Sequence, residues 1–109
     1  MPALSLSGSL PADDRNGLSS IVRQLVSDPE DVHVAIVLLD TKKITTDVET
    51  GDVVPTARVR AIEPISGTED GKELERLLRR AYERRTGQRE LPLELERELD
   101  FLNDITGDE

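Results

Sequence analysis

The sequence has no cysteine, no tryptophan, one histidine and two aromatic side chains, Tyr82 and Phe101, in 109 residues. Without cysteine there is no disulfide framework, thiolate zinc site or catalytic thiol. The single imidazole, His33, lies within the most apolar segment, where it reads as a strand residue rather than a general base or lone metal ligand. The acids lack the alternating spacing of a calcium loop, and Gly67 and Gly71 are too sparse to cradle a phosphate. No catalytic residue, metal or cofactor is therefore expected, and the chain does not read as an enzyme. No apolar run approaches the roughly 20 residues that span a bilayer, and the start lacks a basic stretch followed by a long apolar one. A cytoplasmic protein with no membrane partner is the expectation. Net positive charge is also lacking: the formal charge is -9 and the pI about 4.6, which gives no general attraction to nucleic-acid backbones or anionic membranes.

What the chain does have is aliphatic. Leu, Ile and Val number 15, 6 and 9, enough for a core of branched side chains. Residues 1–16 are rich in small residues and read as a flexible arm, although Leu4, Leu6 and Leu10 give it docking points. Residues 17–106 read as one α+β domain, and 107–109 as a frayed end. Leu18, Ile21, Val22, Leu25 and Val26 recur at helical spacing and predict a core helix over 17–27, capped by Asn16 or an earlier Ser or Asp and stopped by Asp28-Pro29. Val32 to Leu39 is apolar on both faces and predicts the most deeply buried strand. A polar continuation to Val48, a turn at Gly51 and a return from Val53 to Ile65 complete a long antiparallel hairpin. A turn at Asp40–Lys43 would instead make a three-stranded meander. Pro55 and Pro64 cannot donate to a ladder, so the return strand is expected at an edge. Leu74, Leu77, Leu78, Ala81 and Tyr82 then mark a second helix ending before Gly87, and Pro92 opens a third with Leu95, Leu99 and Leu102. About three helices packed on one sheet face follow from this order.

Charge is distributed unevenly. Helix two carries Lys72, Arg76, Arg79, Arg80 and Arg84 opposite its leucines, relieved by Glu73, Glu75 and Glu83. Arg58 and Arg60, with Lys42 and Lys43 across the hairpin, extend the cationic surface. A nucleic-acid-binding accessory protein would use Arg58, Arg60, Arg76, Arg80 and Arg84, but the sheet offers no aromatic stacking platform. Helix three is acidic. Glu94, Glu98 and Asp104 are the candidate partner-binding residues, because rows of carboxylates fill basic grooves on proteins; the same row also solubilises an ordinary helix.

The stretch Lys42–Ile65, followed by the Leu/Arg helix ending Arg84-Arg85-Thr86-Gly87, resembles small uncharacterised proteins of actinobacterial phages and prophages. The similarity covers residues 32–105 and carries no catalytic or binding residues with it. It implies a phage-type accessory or host-takeover role. The expected function is thus a non-catalytic protein-binding module acting through the acidic helix or the hairpin edge on a host or phage protein. Its apolar strand further predicts a homodimer.

Overall fold

The computed structural model describes residues 3–107, with side chains through Asp100, so Asp104, Leu102 and Phe101 are placed on their helix without a side-chain description. Met1-Pro2 and the last two residues of the expected frayed end lie outside the described residues. The chain runs β1 (Ser5–Leu6), α1 (Val22–Ser27), β2 (Val34–Thr46), β3 (Val53–Ile65), α2 (Thr68–Thr86) and α3 (Leu93–Gly107). Short 3-10 turns at Asp13–Arg15 and Gly17–Ile21 precede α1. This is an α+β fold. It divides into two compact units, Met1–Val22 with Ala35–Glu63 and Arg23–Val34 with Pro64–Glu109.

In the first unit the hairpin closes through Asp47. Its carboxylate accepts from the backbone N–H groups of Glu49 and Thr50 at 2.8 and 3.1 Å, and its carbonyl accepts from Gly51 at 2.8 Å. Gly51 has φ +77°, a left-handed conformation that a side chain would resist, which is why glycine ends this loop. β2 runs unbroken through 40–43, so the meander does not form. The third strand comes from the arm. β1 pairs in parallel with β3 at Ser5 to Thr56 and Leu6 to Ala57, and Asn16 bridges to Ile62. The order is β1-β3-β2.

This order corrects the expectation that the return strand is an edge. β3 is central, and its prolines are accommodated because the arm pairs only between Pro55 and Pro64. The edge is β2. Its expected deep burial is likewise overturned: Ile36, Val37, Leu38 and Leu39 are 48, 40, 61 and 58% exposed. Apolarity on two faces records that a strand can be covered, not that its own chain covers it. The same reason corrects the first helix. Of the helix expected over 17–27, Gly17–Ile21 is a 3-10 turn that Asn16 caps by accepting from Leu18 N–H at 3.1 Å, only Val22–Ser27 is α-helical, and Val22, Leu25 and Val26 remain exposed.

The second unit is organised by α2 and α3. Gly87, at φ +76°, ends α2 with its N–H donating to the Glu83 carbonyl at 2.8 Å. Pro92 stands just ahead of α3 and its carbonyl accepts from Glu96 N–H at 3.0 Å. Leu91 and Leu99 are the buried large apolar side chains among the described residues, 6 and 5% exposed. Arg79 ties the two helices together. It donates through both terminal nitrogens to the Glu96 carboxylate, and through Nε and Nη2 to Glu75.

Candidate functional site

The candidate surface is β2. Alternation along a strand puts Ile36 and Leu38 on one face and Val37 and Leu39 on the other. All four are exposed. Ile36 and Leu38 form, with Ala61 and Ile62, the apolar part of an open cleft of about 460 Å³ that Arg15 also lines. The outer edge of β2 pairs with no other strand in the described sheet. The surface therefore combines exposed apolar side chains with a row of backbone donors and acceptors, the two components of strand addition.

Asp40 separates this apolar half from the cationic half. Its carboxylate accepts Arg58 Nε and Nη2 at 2.9 and 2.8 Å and Arg60 Nη1 at 3.2 Å. The Arg58 hydrogen bonds hold the Asp40 carboxyl below the usual aspartate range against a smaller opposing effect of desolvation, and Asp40 in turn raises the Arg58 guanidinium. A patch of Arg58 and Arg60 with Lys42 and Lys43 is thus interrupted by a carboxylate that occupies the forked donors a phosphate would need. Of the other arginines singled out, Arg76 pairs with Glu73 at 3.1 Å, and Arg80 and Arg84 are exposed on α2. They belong to the second unit, whereas Arg58 and Arg60 belong to the first. Arg79 is turned to α3 and Glu75, and Glu83 pairs with Arg89 at 3.6 Å rather than with Arg79.

On α3 the acidic candidates Glu94 and Glu98 are exposed. The Asp104 side chain lies outside the described residues. The acid that the structure does engage is Glu96, whose carboxyl is held below the ordinary glutamate range chiefly by the Arg79 hydrogen bonds. No sequence signal distinguished Glu96 from its acidic neighbours. A screen for stacked i, i+4 charges finds Glu75–Arg79 but not a partner 17 residues away.

His33 is exposed ahead of β2. Among the described residues no three metal-ligating side chains gather, and no helix is long and apolar enough to cross a membrane. The described surface carries an apolar strand edge, exposed acids on α3 and an arginine pair partly neutralised by Asp40. Comparison of the chain with protein-family models, curated proteins and solved structures finds no match.

Proposed function

We propose that this protein is a non-catalytic module that binds polypeptide, and that its working surface is the uncharged half of β2. The exposure of Ile36, Val37, Leu38 and Leu39 on both faces of an edge strand carries this reading. Scattered exposed aliphatic residues are ordinary, but four consecutive ones beside an open backbone edge are what a binding strand presents. The hairpin is preferred to the acidic helix because α3 uses the Glu96 carboxylate to hold its own fold and shows Glu94 and Glu98 as ordinary exposed acids. A phage-type accessory role, which the sequence resemblance implies, is compatible with a module of this kind.

Photo-crosslinking tests it. A benzophenone side chain at Leu39 in the producing cell should give polypeptide adducts, whereas the same group at Glu98 should give few. Adducts confined to Glu98 would transfer the function to the acidic helix. No adduct at Leu39 would refute the proposal.

A further inference from the structure

Resting on the hairpin as the binding surface, we infer that its occupant is a second copy of this chain, joined β2 to β2 in antiparallel pairing about a twofold axis centred on Val37. Edge strands that stay single are kept so by lysine, proline, bulges or short length. β2 is 13 residues long and contains neither proline nor glycine; its charged residues, Asp40, Lys42 and Lys43, all lie beyond the uncharged half Val34–Leu39, which has no such guard. Both prolines of the hairpin are on β3. Such an edge is protected by being paired.

Surface area gives the same answer. The chain exposes 8592 Å², whereas two separately folded halves of a 12.1 kDa chain would together expose about 7,300 Å². The difference of roughly 1,300 Å² per copy exceeds the ~800 Å² that each partner buries in a standard interface. A small groove-filling peptide would leave most of that surplus in water.

Charge sets the direction and the register. Parallel, in-register pairing would stack Lys42, Lys43 and Asp40 on their own counterparts, and like charges directly opposite are unfavourable. Antiparallel pairing about Val37 places Ile36 opposite Leu38 and Ala35 opposite Leu39 of the other copy, large against large and small against large on matching faces. Val37 faces its own counterpart across the axis.

The test uses the full chain and this self-opposed position. Sedimentation equilibrium at micromolar concentration should give twice 12.1 kDa. Directly opposed residues in an antiparallel ladder have Cα atoms about 4.5 or 5.5 Å apart, within the span of a disulfide. The sequence lacks cysteine, so Val37→Cys should crosslink to a dimer under mild oxidation with no background. Val37→Lys and Val37→Asp should each weaken self-association by 100-fold or more while keeping the circular dichroism of the parent, and an equimolar mixture should restore the dimer. A 12.1 kDa species at all concentrations overturns the inference; if Leu39 still crosslinks to other polypeptides, the binding-module reading survives without it. A dimer that resists Val37→Cys crosslinking, or that the two charged variants do not rebuild, overturns the β2 pairing.

Discussion

Deleting everything after Arg89 removes α3 and, with it, both of the large apolar side chains that are buried among the described residues, Leu91 and Leu99. Full burial of a leucine contributes about 1.5 to 3 kcal/mol, so their loss amounts to about 3 to 6 kcal/mol. Native domains are stable by only about 5 to 15 kcal/mol. The truncated chain should therefore be close to unfolding, with a melting temperature lower by at least about 12 °C at about 4 °C per kcal/mol. A finer version separates burial from the mere presence of the helix: Leu99→Ala should cost about 2 to 3 kcal/mol, near the lower end for buried leucines because so small a core relaxes easily. Leu93→Ala, at a position 66% exposed, should stay within about 0.5 kcal/mol. Urea melts at one fixed protein concentration measure all three, since association makes stability depend on concentration. Equal costs for Leu99→Ala and Leu93→Ala, or a truncated chain that melts with the parent, would refute the placement of the core.

The glycines of α2 should respond in opposite directions: Gly71→Ala, where an added Cβ meets nothing within 4 Å, should gain about 0.5 to 1 kcal/mol, and Gly87→Ala, at φ +76°, should lose about 1 kcal/mol, both read by thermal melts. Glu96 and Asp40 are held below their ordinary values by Arg79 and Arg58 and so bind fewer protons folded than unfolded. Their contribution is complete above about pH 4.5 and disappears as pH falls below it; urea midpoints against pH should show this acid limb, shallower in Glu96→Gln. Reversing Glu94, Glu98 and Asp104 to Lys should leave both the fold and the Leu39 crosslinks intact, and lost crosslinks would show that the acidic helix binds. In gel shifts at low salt the protein should retain neither DNA nor RNA, because Asp40 occupies Arg58 and Arg60; a shift that weakens with salt and with Arg80→Glu and Arg84→Glu would establish the nucleic-acid alternative.

Local chemistry was legible where the residues that decide it are neighbours in sequence. The Asn16 cap, the Gly51 turn, the Gly87 terminus and the entry to α3 at Pro92 all depend on contacts spanning a few residues, and each appears where its side chain or missing side chain requires. Non-local pairing was not legible. A two-residue β1 has no periodicity to detect, and its partner lies some fifty residues away at Thr56 and Ala57. Asp40 reaches Arg58 and Arg60 across the hairpin, and Arg79 reaches Glu96 across a helix pair. The apolar pattern of β2 specifies two apolar faces but not their exposure, because periodicity reports which side chains share a face and is silent on what lies over it. That silence marks the candidate site.

The arm gives the sheet two unlike sides. On one side, β1 and the Asn16 bridge cover part of β3 between Pro55 and Pro64, which themselves have no N–H to offer. The β2 side has no such cover in the described sheet. Strand addition propagates into a fibre when each newcomer brings a second open side, and it stops when the newcomer's far side is already blunted. On the inferred β2 pairing, sheet extension closes after one addition, with the short N-terminal strand as the terminator. Removing residues 5–16 should then convert a self-limiting dimer into an assembly able to grow, visible as turbidity or high-mass species.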